Sequence, residues 1–217
     1  MPIRRLLATS LLFAAIASAH AAERPTPQQV TSFFRAVQMD DASTVRKMLG
    51  AVVNANELNP LGGEPALVVA IREGSREVIR ELLRHPGTDL ERKALNGNTA
   101  LMMAAYKKDE EAARALVERG AKVNQPGWTA LHYAAASGDD KIAQLLIARG
   151  AKLDAASPKL SGALTPLMMA AREGHDATAR LLVAKGAKIG LRNAEGLTAA
   201  QIAKQAGRDR LAQELAN

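Results

Sequence analysis

The chain has 217 residues, a formal net charge of +7 and a sequence pI near 9.9, and only 3% of its residues are aromatic. Nucleic-acid binding favours clustered cations beside aromatic stacking platforms, whereas the basic residues here are spread along the chain, so the composition argues against a nucleic-acid partner. The sequence holds no cysteine, which excludes thiol chemistry and disulfide cross-links.

The first segment has the three parts of a secretory signal peptide. Met1–Arg5 is basic, Leu6–Ala17 is apolar, and Ala19-His20-Ala21 is an A-x-A cleavage sequence. An N-terminal membrane anchor is the weaker alternative, because the apolar run is shorter than the ~20 residues that a spanning helix needs. We therefore predict a signal peptide at 1–22, a periplasmic location in a bacterium, and no membrane attachment after cleavage.

The next predicted elements are two helices that follow a short polar linker. Gln28–Asp40 carries an apolar face and Asp41–Leu49 forms the second helix. The first helix also holds Phe33 and Phe34, which are the only phenylalanines outside the leader. A bulky apolar face at one end of a repeat array is expected where a terminal unit must cover its neighbour.

The clearest unit of the chain is the stretch 127–154. Thr129 is a hydroxyl N-cap, and the apolar residues after it recur at i, i+3 and i+4, which predicts a short helix that ends at Gly138. Asp139 or Asp140 then begins a second helix that ends at Gly150. Each helix is shorter than the ~12–15 residues at which an isolated helix becomes stable, so neighbouring units must cover them.

Copies of this unit lie on both sides of it. Their equivalent leucine positions are spaced by 34, 30, 36 and 33 residues, and they are Leu67, Leu101, Leu131, Leu167 and Ala200. The central copy reads T-x-L-H-x-A-A, a glycine, and then G-A-x-[VIL], and the other copies match it in part, such as Thr99–Ala105 and Thr165–Ala171. A period near 33 with this pattern resembles the ankyrin repeat, and the resemblance extends from about Pro27 to the C-terminus.

The resemblance implies an all-α solenoid of helix-turn-helix units with short β-hairpin loops, here called fingers. About six repeats are expected in a domain at 23–217, at approximately 27–60, 61–96, 97–126, 127–161, 162–195 and 196–217. The finger before Leu131 is three residues shorter than the usual length, and the finger before Leu167 is three residues longer. This pair is either a notch shaped for a partner or neutral variation in loop length, since surface insertions cost little.

Catalysis and metal binding find little support in the sequence. His132 and His175 occupy positions where the family's histidines are structural, and His85 stands at a helix end, where a donor helps free carbonyls. The first-turn acids suit helix N-termini, and no histidine or carboxylate cluster has metal-ligand spacing. Met102-Met103 and Met168-Met169 are predicted to fill gaps in the core. We expect no enzyme, cofactor or metal.

The resemblance implies that a partner would bind to the fingers and to the inner-helix groove. Trp128, the only tryptophan, lies on the short finger, and tryptophan and tyrosine are enriched at interface hot spots. The alternative is that Trp128 folds down over the gap left by the missing finger residues. The predicted protein-binding residues are Trp128, Tyr106, Lys107, Tyr133, Ser137, Leu164, Arg172 and Glu173.

The sequence thus favours a periplasmic scaffold that binds a protein partner through its fingers and groove. The resemblance to exported bacterial ankyrin proteins suggests an alternative. In this alternative the protein is an accessory or protective subunit of a periplasmic enzyme, such as one related to oxidative stress. No motif in the sequence identifies the partner, because the fold of a repeat scaffold does not specify its ligand.

Overall fold

A computed structural model describes residues 24–216, so the predicted signal peptide at 1–22 lies outside the described residues. The helices between 24 and 216 form six consecutive pairs: α1 (Pro27–Gln38) with α2 (Ala42–Met48), α3 (Ala66–Glu73) with α4 (Arg76–Arg84), α5 (Ala100–Tyr106) with α6 (Glu110–Glu118), α7 (Ala130–Ser137) with α8 (Asp140–Ala148), α9 (Pro166–Glu173) with α10 (Asp176–Ala184), and α11 (Ala199–Gln205) with α12 (Asp209–Glu214). The predicted helical solenoid is confirmed.

The odd-numbered helices form an inner row, in which each packs against the next, and α2, α4, α6, α8 and α10 form an outer row. Small residues let the inner helices approach closely. The alanine pairs of three inner helices have no exposed surface, and they are Ala104 and Ala105, Ala134 and Ala135, and Ala170 and Ala171. The methionine pairs are buried in the same layer, as predicted.

Threonine caps begin most of the inner helices. Thr99 and Thr165 each accept a hydrogen bond from the backbone N–H three residues later. In the clearest unit the reciprocal partner is His132, whose Nδ1 lies 3.1 Å from the Thr129 backbone nitrogen and 2.9 Å from its hydroxyl oxygen. The structural role predicted for this histidine is confirmed.

Each helix pair turns through one residue in the left-handed conformation. That residue is Gly74 in the second repeat and Gly138 in the fourth, with φ of +77° and +72°. In the third repeat Lys108 takes the position with φ of +57°, although a side chain is disfavoured there. The turn is therefore a requirement of the fold that the chain meets even without glycine.

The fingers are bent loops without a β-ladder. Within 24–216 the structure contains isolated bridges only, such as Leu58 with Pro65, and no β-strand. Single backbone hydrogen bonds close the fingers, such as Ala94 N to Asn98 O at 2.9 Å. The long finger also contains a 3-10 turn at Lys159–Ser161. The expected hairpins thus reduce to hairpin-shaped bends, because each is too short to pair more than one or two residues.

Charged side chains join the outer helices of successive repeats. Arg46 bonds to Glu81 at 2.6 Å, Lys141 to Glu110 at 3.0 Å, and Arg180 to Glu214 at 2.8 Å. None of the described helices has the length and apolar character that crossing a membrane would require.

Candidate protein-binding cleft

Two positions in the second to sixth repeats border the groove between finger and inner helix: the residue just before the N-cap, and a residue in the last turn of the inner helix. In the second repeat these are Glu64 and Arg72, whose side chains form an ion pair of 2.9 Å that bridges the groove. In the fourth repeat they are Trp128 and Ala136. Alanine cannot bridge the groove, so the space beside Trp128 stays open.

The result is a cleft of about 380 Å³ that extends over the third to fifth repeats. It is lined by Tyr106, Trp128, His132, Tyr133, Ala136, Met169, Arg172 and Glu173. We call this site the aromatic cleft. Its residues come from α5, the short finger, α7 and α9, so its shape depends on the stacking of three repeats.

Three aromatic side chains form one side of the aromatic cleft. The Tyr133 ring is central: its centroid lies 6.3 Å from that of Tyr106, with the planes at 90°, and 6.2 Å from that of Trp128, with the planes at 58°. Tyr106 is 58% exposed, whereas Trp128 and Tyr133 are half-buried. Trp128 therefore packs on its own repeat and still presents part of its ring. It combines features of both sequence-based alternatives, an exposed binding residue and a residue folded over the gap in the short finger.

His132 holds the base of the aromatic cleft in place. Its ring lies 5.2 Å from the Trp128 ring, its Nδ1 accepts from Thr129, and its Nε2 lies 3.0 Å from the Leu164 carbonyl oxygen. This pattern requires a neutral ring with the proton on Nε2. Burial lowers the pKa of His132, since the side chain is fully enclosed and the charged form would lose its hydration. The ring therefore links the fourth repeat, through Thr129, to the fifth repeat, through Leu164.

Tyr133 is fixed by the third repeat. Its hydroxyl donates to Asn98 Oδ1 at 2.5 Å, which ties α7 to the preceding finger. Burial raises the pKa of Tyr133, so the phenol stays neutral and its one O–H donor is directed at Asn98.

One ion pair lies at the rim. Arg172 Nε contacts Glu173 Oε1 at 3.0 Å, and both side chains are exposed, by 46% and 42%. The same Arg172 also borders a second depression of about 720 Å³ between the long finger and the last repeat. That depression is framed by Leu160, which is wholly exposed, and its described lining contains no aromatic residue.

Five of the eight predicted binding residues line the aromatic cleft: Tyr106, Trp128, Tyr133, Arg172 and Glu173. Lys107 is exposed but lies outside the lining. Two residues do not offer the accessible surface expected of them. Ser137 is buried and donates to the Ala105 carbonyl at 3.0 Å, and Leu164 is buried at 7% exposure.

The displacement of Leu164 has a local cause. Its backbone N–H donates to Ser157 Oγ at 2.9 Å and its carbonyl accepts from Ser157 N at 2.8 Å, so the long finger folds back and draws Leu164 inward. Sequence reasoning also left His132, Ala136 and Met169 out of the site. The usable signal was Ala136, a small residue where other repeats have arginine, tyrosine or glutamine.

The other two histidines of the described residues make local contacts. His175 Nε2 lies 3.0 Å from the Ala136 carbonyl oxygen, a structural contact as expected. The expectation for His85 is corrected, because its Nδ1 accepts from Gly87 N at 3.2 Å and does not donate to a free helix carbonyl. Between 24 and 216 no group of three or more acidic or histidine side chains could hold a metal ion.

Comparison with known families agrees with this architecture. A family model of ankyrin repeats (three copies) matches residues 33–126 and 86–157, and a model of a single ankyrin repeat matches residues 164–194. The matched segments together include well over half of the chain and contain every residue that lines the aromatic cleft.

Proposed function

The chain belongs to the ankyrin repeat family, and we propose that it is an exported scaffold that binds a protein partner through the aromatic cleft. Ankyrin repeats are generally protein–protein interaction modules, and proteins built from them are typically non-enzymatic scaffolds. In this chain we assign the protein–protein interaction to the aromatic cleft.

The observation that carries the proposal is the grouping of Tyr106, Trp128 and Tyr133 around an open cleft. Large aromatic side chains lose little conformational entropy on binding and dominate interface hot spots. A folded chain usually buries such rings, whereas here Tyr106 is 58% exposed and the other two rings line accessible space.

The supports of the cleft also suit recognition. Tyr133 is fixed by Asn98, and Trp128 lies against His132, which is bonded to Thr129 and Leu164. A binding surface whose side chains are already ordered loses less entropy when a partner arrives. The stacked repeats thus supply a pre-organised site and leave the sequence of the site free to vary.

Export to the periplasm is part of the proposal and is supported by the sequence of 1–22. Intact-mass analysis of the protein recovered from the periplasm tests it. We expect a new N-terminus between His20 and Glu23. A protein that retains Met1 would contradict export with cleavage.

The binding role is tested by affinity capture from periplasm with three baits: the unchanged protein, Trp128→Ala, and the outer-helix control Lys141→Ala. Quantitative mass spectrometry should show a protein that the first and third baits retain and that the Trp128→Ala bait loses. Equal capture by all three baits would contradict the use of this cleft. The identity of the captured protein also decides whether the scaffold serves an enzyme as an accessory subunit.

A further inference from the structure

We infer that the aromatic cleft recognises an ammonium-type cation, and that on a protein partner this group is the side chain of a lysine. The inference rests on the proposed function, because it names the chemistry of the group that the same cleft accepts. It follows from the charge of the lining, the arrangement of the rings, and the alanine at position 136, where the second repeat has an arginine.

The fixed charges of the aromatic cleft cancel. Among the described residues that line it, Glu173 is the one carboxylate and Arg172 the one cationic side chain, and the two are paired at 3.0 Å. His132 is neutral, since burial lowers its pKa, and burial keeps Tyr133 protonated. With no net charge from these groups, the aromatic rings decide which sign of ligand the cleft prefers.

The faces of aromatic rings carry negative electrostatic potential and attract cations within about 6 Å of the ring centre. Tyr133 makes an angle of 90° with Tyr106 and 58° with Trp128, so the three rings turn towards different directions and do not form a flat stack. Rings at steep angles around a shared space can contact one compact group from several sides. Such a group gains cation–π attraction from each face it touches.

Glu173 adds direct charge complementarity at the rim. Its carboxylate is 42% exposed and has one contact to Arg172 Nε, so a second cation can approach it from the cleft. A lysine side chain suits this geometry, because it carries a compact ammonium on a flexible four-carbon stem that can pass the rim and place its charge among the rings. An acidic ligand would instead meet the three aromatic side chains and the Glu173 carboxylate.

The fourth repeat owes this space to Ala136. The equivalent residues of the second, fifth and sixth repeats are the longer Arg72, Arg172 and Gln205. In the second repeat the arginine is held by Glu64 and Glu73, so a cationic side chain of the chain itself already occupies the groove. The aromatic cleft leaves the corresponding place open for a cation from outside.

The test uses choline as the probe and its uncharged carbon analogue, dimethylbutanol, as the matched control. The two molecules have the same shape and differ in charge, so shape and hydrophobicity alone cannot separate them. Trp128 is the only tryptophan of the chain and its fluorescence reports directly on the cleft. We expect choline to bind saturably in the low-millimolar range, and at least about fivefold more tightly than dimethylbutanol.

Variants assign the charge dependence to named side chains. Glu173→Gln should weaken choline binding, and Arg172→Gln should strengthen it, because the first removes the attracting charge and the second the opposing one. Ala136→Arg should abolish choline binding by filling the cleft, while a denaturant melt shows that the protein stays folded. Tyr133→Phe retains the ring and should retain most of the binding.

Equal affinity for choline and dimethylbutanol, or no saturable change with choline, would overturn the inference. So would tighter binding of acetate than of choline that Arg172→Gln removes. A partner captured in a Trp128-dependent manner, together with an absence of choline binding, would leave the scaffold function standing and reject the cation site. Choline binding without any Trp128-dependent partner would do the reverse.

Discussion

The second and fourth repeats have the same helices and turns, but the groove is closed in the second repeat and open in the fourth. Each has an inner helix of 8 residues, a glycine turn with φ above +70°, and an outer helix of 9 residues. In the second repeat Arg72 closes the groove through Glu64. In the fourth, Ala136 leaves it open beside Trp128. The stack thus determines the helices and turns and leaves free the positions through which we propose that the partner binds.

The first prediction compares the glycine turns of these two repeats. A Cβ atom at Gly138 would lie 2.4 Å from Nδ1 of His175, whereas a Cβ atom at Gly74 would meet nothing within 4 Å. Both alanine substitutions meet the left-handed backbone cost of ~1–2 kcal/mol, but only Gly138→Ala must also displace a ring. We expect Gly138→Ala to destabilise the fold by ~2–3 kcal/mol.

Denaturant melts of the two variants check this difference. In a His175→Ala background the additional cost of Gly138→Ala should disappear, since the obstructing ring is absent. Equal costs for Gly138→Ala and Gly74→Ala in the unchanged background would show that the ring yields freely.

The second prediction concerns the buried face of the inner helices. Ala135 of the fourth repeat is fully buried where the second repeat has Ile71, which is also buried. Ala135→Leu should cost ~1–3 kcal/mol through overpacking between α5, α7 and α9. Ala136→Arg, one residue further along, should change the unfolding midpoint little. An unchanged midpoint for Ala135→Leu would mean that the close approach of these helices is not needed.

Positions fixed by stacking could be predicted from the sequence. The threonine cap and the turn glycine, represented by Thr129 and Gly138, recur in most repeats because each satisfies a backbone requirement of the helix pair. Trp128 and Tyr133 could be proposed from residue type alone. Ala136 was omitted, because the cleft arises from a missing side chain, and an alanine becomes informative only when it is compared with the larger residues at the equivalent positions of the other repeats.

Two assignments failed for reasons of local geometry. Ser137 has a side chain short enough to turn inward and bond to α5, which the sequence does not reveal. Leu164 is drawn inward by its hydrogen bonds to Ser157, a consequence of how the inserted residues of the long finger fold. Loop insertions change direction in ways that repeat spacing does not encode.

The third prediction concerns the outer helix of the second repeat, where the Glu81 carboxylate pairs with two arginines. Glu81 accepts hydrogen bonds from Arg46 at 2.6 Å and from Arg84 at 2.9 Å, which lowers its pKa from 4.5 to about 2. The equivalent residue of the fourth repeat is Leu145. A depressed carboxyl pKa gives stability that is present above pH 4.5 and is lost as the pH falls towards 2.

Because both arginines are largely exposed and screened by solvent, we expect this loss to be ~1 kcal/mol. Denaturant melts between pH 5 and 2.5 measure this loss in the unchanged protein and in Glu81→Gln. The free energy of unfolding should fall by ~1 kcal/mol more in the unchanged protein than in the variant. Identical pH profiles for the two proteins would show that the arginine contacts contribute nothing to stability.

The smallest effect is expected on the outer helix of the fourth repeat. Lys141 is 77% exposed in its side chain and pairs with Glu110 at 3.0 Å. An exposed ion pair of this kind contributes little, so Lys141→Ala should change the free energy of unfolding by less than ~0.5 kcal/mol. Partner binding should be unaffected. A larger change in either quantity would extend the functional surface to the outer row.

The central claim is that the groove of the fourth repeat, and not that of the second, recognises the partner. It is tested most directly by measuring partner affinity and unfolding free energy for Trp128→Ala and Arg72→Ala side by side. We predict that Trp128→Ala weakens binding by ~2 kcal/mol or more while the protein remains folded, and that Arg72→Ala changes binding by less than ~0.5 kcal/mol. If Trp128→Ala strongly lowers the unfolding midpoint while the remaining folded protein binds normally, Trp128 serves packing and the claim is contradicted.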